Sequence, residues 1–530
     1  MAMKTLRILG FLSFVLFTVS CSDFLEEEPR DQLSVDQFFT EPGQAQSAVN
    51  FLYQNGAPQM YISQGVFSGA RIMYLQYLSG FFDNEFNGQE RQVDLAQQLA
   101  ISPTEIDATL NGIWASLYVG ISGANLAIAN IPDTPGLSEA ERSDLLAQAS
   151  FFRAFAYFYL VRMFGDVPLI LEPVGSVDEI FVARAPVSEV YAQIVADLNI
   201  AIAAGSLPSG TMVDNGFRIT TETAQMLLAD VYLTMSGFPL SQDNYANAAT
   251  AAREVINSGA FSLTTHDRDG DGNVILENSA YNKMRLAKTL ANDYIYQIEY
   301  EVGIRAFPYP QWSFPASVSG SVGSAYANIQ NAYGPRPELY EQYDQTLDLR
   351  AQEKQYFHTN FVTNGGDEIT FPVTPYIWLD EEPFFTTAQS SKNLRVYSYP
   401  EALLIAAEAI ARSEGVTAEA VDYLTQVRAR AYWTTDPETI RTELAGLSVT
   451  GFVEEVWKER NRELIFDFKL WFDMVRTRLY PSGSNGEVTF FTLVGRQNTF
   501  GQIFEERHLL LPIADSEMQR NPELVQNPGY

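Results

Sequence analysis

A chain of 530 residues with a single cysteine, Cys21, forms no internal disulfide, so its fold is held by its core alone. Histidine is nearly as scarce. His266, His358 and His508 are the only three, and neither HExxH nor GxSxG occurs. These absences argue against the common zinc hydrolases and serine esterases, while a carboxylate pair among 65 acids stays open. Against those acids stand 34 Lys and Arg, a net charge of −31. General nucleic-acid binding needs a basic footprint and is excluded. Also missing is a Ser/Gly- or Pro-rich linker long enough to part the chain into domains, so one large unit is expected. At 46% hydrophobic residues it has ample material for a core.

What is present begins with "MAMKTLRILGFLSFVLFTVSC". Lys4 and Arg7 precede an apolar run of 12 residues, short of the roughly 17–25 that cross a bilayer, and Ser20 is a small residue before a cut. Residues 1–20 read as a secretory signal whose removal leaves Cys21 first, the arrangement of a lipid-anchored protein. Each buried CH₂ of an acyl chain contributes roughly 0.8 kcal/mol, so two or three chains hold a soluble domain on a membrane. Losing Lys4 and Arg7 takes the net charge from −31 to −33.

Most of the remainder has helical periodicity. Leu145, Ala149, Phe152, Ala156, Tyr159 and Met163 recur at spacings of three and four, closed by Gly165 and Pro168. A second stripe carries Val453, Trp457, Leu464, Phe468, Trp471 and Val475. Between them lie alanine-rich pairs: "TTETAQMLLADVYLTMS" with "NYANAATAAREVINSG", and "YPEALLIAAEAIARS" with "TAEAVDYLTQVRARA". Such antiparallel pairs describe a mainly α, tetratricopeptide-like repeat scaffold. The scaffold is expected over about 40–300 and 398–530. Glycine, proline, serine and aromatics make residues 301–397 an irregular, loop-rich insertion.

Three constellations bear on chemistry. "DRDGDGN" spaces Asp267, Asp269 and Asp271 at alternate positions before Gly272 and Asn273, a pattern able to wrap a structural Ca²⁺. It is not a full EF-hand, because position 12 is Asn278 and the acid Glu277 falls one place early. In "KERNREL", Arg460 and Glu463 are spaced to pair along a helix, which suits a scaffold role. No cofactor is required. Candidate ligand contacts are Phe82, Asp83 and Asn84 in one loop, Arg305, Tyr309, Trp312 and Tyr326 in a second, and Trp378 in a third. Sugars present flat C–H faces and a rim of hydroxyls, so aromatic rings flanked by Asn, Asp and Arg suit them.

Blocks along nearly the whole chain resemble the SusD/RagB family of outer-membrane nutrient-binding lipoproteins. They include "CSDFLEEEPRDQLSVDQFF", "WASLYVGISGANLAIANI", "ASFFRAFAYFYLVRMFGDVPLIL", "KERNRELIFDFKLWFDMVR" and "LLLPIADSEMQRNPELVQNPGY", in the family's order. The resemblance implies a tetratricopeptide-like scaffold and a lipid on Cys21. Glu26, Glu27 and Glu28 then resemble a signal for export to the outer face of the outer membrane. It also implies glycan capture without catalysis, ligand aromatics in the loops just named, and a SusC-type TonB-dependent transporter as partner. The strong negative charge favours a neutral glycan over an acidic one. A peptide receptor of the same architecture and a surface glycoside hydrolase are the alternatives.

Overall fold

The computed structural model describes residues 38–62, 70–84, 90–175, 181–329, 332–363 and 365–530. The signal, Cys21 and the acidic tract behind it lie outside the described residues.

The longest helix, Glu139–Phe164, shows how local chemistry sets the frame. Its entry is a reciprocal cap: the Ser138 hydroxyl accepts the Glu141 amide at 3.3 Å, and the Glu141 carboxylate accepts the Ser138 amide at 2.9 Å. Gly165, at φ +73°, ends it. The six expected stripe positions are all buried, but burial continues round the helix through Ala147, Phe151 and Ala154. The reason is that Asp107–Asn130 packs on one side and Val187–Ala201 on another, so from Ala147 to Val161 no face is left to solvent, while the first turn stays exposed. Helix Asp107–Asn130 in turn rests almost backbone to backbone on the loop before it. A Cβ on Gly120 would come within 2.4 Å of the Gly56 Cα, so only glycine fits there.

The alanine-rich segments form helices Thr221–Ser236, Tyr245–Asn257, Tyr399–Ser413 and Ala418–Ala431. Ala248, Ala249, Ala251 and Ala252 are buried, which lets Tyr245–Asn257 lie against Thr221–Ser236 and also against Tyr399–Ser413. The helical array is therefore continuous in space although more than a hundred residues separate those last two helices in sequence. The second expected stripe is interrupted. Helix Val449–Glu463 gives way to a short turn at Ile465–Asp467, Phe468 takes a left-handed conformation at φ +62°, and Leu470–Thr477 restarts the helix. The break turns Phe468 into a buried aromatic contact for Trp378 and Asp467 into the partner of Arg395 at 2.8 Å.

Residues between the repeats leave and return on adjacent strands. Tyr294–Ile298 pairs antiparallel with Leu394–Ser398, Ile298 opposite Leu394. Within the excursion, the hairpin Phe357–Val362 and Glu368–Pro375 joins short helices around a small apolar core of its own. Phe314, Val322, Ile329, Phe371, Tyr376, Leu379 and Phe384 make up that core.

Four of the "KERNREL" charges, Glu459, Arg460, Arg462 and Glu463, are buried; Arg462 and Glu459 pair at 3.3 Å, but the expected Arg460–Glu463 pair does not form. Arg460 meets Asp473 at 2.9 Å rather than Glu463, whose carboxylate takes Arg350 at 2.9 Å and Arg430 at 2.7 Å. Arg350 also reaches Asp348 at 2.7 Å and Glu459 at 2.8 Å, all with no side-chain exposure. Burial alone would raise the Glu459 carboxyl, yet the Arg350, Arg462 and Arg428 guanidinia hold it well below the usual carboxylate range. The expected i,i+3 pair loses because tertiary partners offer each charge a better geometry. This motif ties the helices to residues 348–350 of the excursion.

Candidate functional site

Phe82–Asp83 pairs antiparallel with Gly334–Pro335, which brings the helical body and the excursion together. Beside this pairing opens a groove of about 360 Å³, whose lining includes Asp83, Pro315, Ser317, Arg336, Pro372 and Thr374. Asp83 is held from below: its Oδ1 accepts the Asn84 amide at 2.8 Å and Gln97 Nε2 at 3.1 Å. Its Oδ2 lies 3.7 Å from Arg336 Nη1. The Arg336 guanidinium also has Nε 3.4 Å from Glu338 Oε2 and lies over the Phe500 ring, 4.3 Å from its centroid. The arginine is thus fixed in direction, with one face covered and two carboxylates at its edge.

Several sequence-predicted residues do come together here, but in another capacity. Phe82 stacks on Tyr333 at 3.9 Å, Tyr333 meets Trp378 at 5.5 Å, Trp378 meets Tyr309 at 4.9 Å, and Tyr309 meets Trp312 at 5.0 Å. Trp312 is only 2% exposed and its neighbours in this row are as deeply buried. The expectation that Trp312, Tyr309, Trp378 and Phe82 form an open platform is therefore corrected. Each ring gains more by packing against another ring than by facing water, and the row belongs to the main core. Asn84 is buried as well. Tyr326 is half-buried against Phe384, 5.7 Å away in the small core, and Arg305 is half-buried in the tight turn Glu301–Arg305. Neither lines the groove. Asp83 alone of the eight does. Arg336 was missed, although Pro335-Arg336-Pro337, a cation between two stiff residues, marks it in the sequence.

The acidic loop does not fit a cation as arranged. Asp267 pairs with Lys283 at 2.6 Å, while Asp269 accepts the amides of Asp271 at 3.0 Å and Asn273 at 2.8 Å. The Asn273 side chain donates to Asp269 Oδ2 at 3.1 Å instead of offering a ligand oxygen. Among the described residues, no group of three or more His, Cys, Asp or Glu side chains is placed to hold a metal ion. Asp267 is engaged by Lys283, and Asp269 closes the turn by accepting from Asp271 and Asn273.

A larger cavity, about 470 Å³, lies on the far side of helix Asp107–Asn130 among Trp114, Tyr118, Ile170, Phe181 and Leu524. Its charged residues Glu517 and Arg520 are paired with each other at 2.5 Å. The smaller groove is the better candidate because it converges polar groups on one space, which hydroxyl-rich ligands require.

Family comparisons agree with this architecture. The SusD family model matches residues 379–530, and a second, described as starch-binding and associating with the outer membrane, matches 23–233. The crystal structure of a SusD superfamily protein from Parabacteroides distasonis is 30% identical, covering 92% of this chain and 99% of that one with a TM-score of 0.79. The chain belongs to the SusD family. SusD-like protein P2 of Formosa agariphila is 29% identical across the full length of both chains. Surface glycan-binding protein A from Bacteroides thetaiotaomicron, solved in complex with laminarihexaose, has a TM-score of 0.70 at 18% identity, covering 92% of this chain and 99% of its own. At that distance the SusD fold is what the two share.

Proposed function

We propose that this SusD-family member is a cell-surface lipoprotein, anchored through Cys21 to the outer membrane. It captures oligosaccharides in the groove beside Asp83 and Arg336 and hands them to a SusC-type TonB-dependent transporter. The observation that carries the reading is the groove itself. Rigid proline C–H surface from Pro315 and Pro372 adjoins the oriented Asp83 and Arg336 at the junction of scaffold and excursion. Its support is the family model over 23–233, whose description names starch and the outer membrane. A shallow site leaves much of a sugar hydrated, so affinity should fall between micromolar and millimolar, about 4–8 kcal/mol.

Calorimetry across a panel of neutral oligosaccharides and peptides, with chromatography of the same mixtures, tests this. At least one glycan should bind and emerge uncleaved, and Arg336→Ala should weaken it about tenfold or more, a loss of about 1.4 kcal/mol. Peptide binding with no response to any glycan would overturn the reading, as would cleaved products. The transporter is tested separately, by pull-down from detergent-solubilised outer membrane.

A further inference from the structure

The groove is poor in backbone donors. Pro315, Pro335, Pro337 and Pro372 have no N–H, and the Pro337 carbonyl already accepts the Glu341 amide at 2.9 Å. The Arg336 amide is already engaged by the Phe81 carbonyl at 2.9 Å, and the Thr374 hydroxyl donates to the Pro372 carbonyl at 2.8 Å. Arg336 is the one cation among the described lining residues, and Asp83 at 3.7 Å and Glu338 at 3.4 Å more than balance it. A sugar hydroxyl can donate to such a wall. A carboxylate or sulfate only accepts, and it would face a local charge of its own sign.

We infer that this groove selects uncharged oligosaccharides and excludes uronate- and sulfate-bearing ones, with Asp83 as the residue that sets the choice. The inference rests on the glycan-binding reading above. Asp83 does two separable things. Oδ1 braces the loop through Asn84 and Gln97, whereas Oδ2 neutralises Arg336. Asparagine at this position keeps an acceptor for the first task and removes the charge needed for the second. It leaves Arg336 partly uncompensated and able to receive an anion.

The test uses whichever neutral oligosaccharide binds best and the same oligosaccharide oxidised at C6 to its uronate, so that linkage is constant and only charge changes. Wild type should bind the oxidised form about tenfold or more weakly, and the gap should narrow as salt is raised. Asp83→Asn should bring the two forms to within about threefold, largely by gaining affinity for the uronate. Glu338→Gln provides a second variant with the same expected direction, independent of the Asn84 and Gln97 contacts. Equal binding of both forms by wild type would overturn the charge selection and leave glycan binding intact. A persistent gap in both variants would remove Asp83 and Glu338 from the explanation. Wild type that binds no glycan would overturn both readings together.

Discussion

The helical scaffold and the excursion between its repeats are stabilised by different means. In the scaffold, buried charges meet defined partners: Arg476 bonds Glu408 at 2.7 Å and Asp473 at 2.6 Å, and Arg430 holds Asp293 at 3.1 Å and Glu463 at 2.7 Å. In the excursion, His358 is fully buried against Phe314, Phe371 and Tyr376, and neither ring nitrogen has a hydrogen-bond partner among the described residues. Directional pairs admit one arrangement of their elements. Apolar contacts around an unbonded ring tolerate exchange of residues as long as volume is kept. The scaffold is therefore specified tightly, and the small core around His358 loosely.

The sharpest way to break this contrast is Arg476→Met. Glu408 would be left in the interior without its ion-pair partner, a loss of about 3–5 kcal/mol that should appear as a large fall in the calorimetric melting temperature. A loss below about 1 kcal/mol would mean that the scaffold is held by apolar packing alone, like the excursion.

Trp312→Ala comes next. As a ring within the main core it should cost about 3 kcal/mol of stability, with affinity for the best glycan nearly unchanged. Intact stability with lost affinity would restore the open-platform role that its sequence suggests. That role was the part of the site hardest to read. Aromatics next to glycine and proline look alike whether they face a ligand or one another, and the row from Phe82 to Trp312 needs contacts between residues hundreds apart. The helices were legible because Ala248, Ala252 and Leu145 obey a local period, and Ser138 and Gly165 mark helix ends by local chemistry. The break at Phe468 was not, since a left-handed residue inside a periodic stripe is imposed by Trp378 and Arg395 from elsewhere in the chain.

A smaller effect is set by pH, and it is largest at the most deeply buried histidine. Burial, with Lys354 and Arg285 nearby, pushes the His358 imidazole down to about 3 from its ordinary 6.5. The folded state favours the neutral ring, so its contribution is complete above 6.5 and is lost as pH falls from there toward 3. At about pH 5 the loss reaches about 2 kcal/mol, and proteolytic cuts should appear first within residues 301–397. His358→Phe should lessen the difference between neutral and acidic conditions without removing it, because burial also holds the scaffold imidazoles His266 and His508 down to about 4. Scaffold helices cut as early as the excursion would erase the distinction.

The smallest expected effect is none. Chelator should leave the melting temperature unmoved, and added Ca²⁺ should do nothing, because Asp267 and Asp269 already have protein partners. A shift of several degrees, abolished by changing Asp267, Asp269 and Asp271 together to Asn, would show that the loop reorganises around a cation.

The paired strands Tyr294–Ile298 and Leu394–Ser398 bring the two ends of the excursion side by side, on helices that already touch. Chain length between such ends adds little to the cost of joining them, since closure entropy grows only with the logarithm of the number of residues. Insertions and deletions therefore cost little around the small separate core of Phe314 and Phe371, whereas Tyr309, Trp312, Tyr333, Trp378 and Arg350 are built into the body and have to be kept.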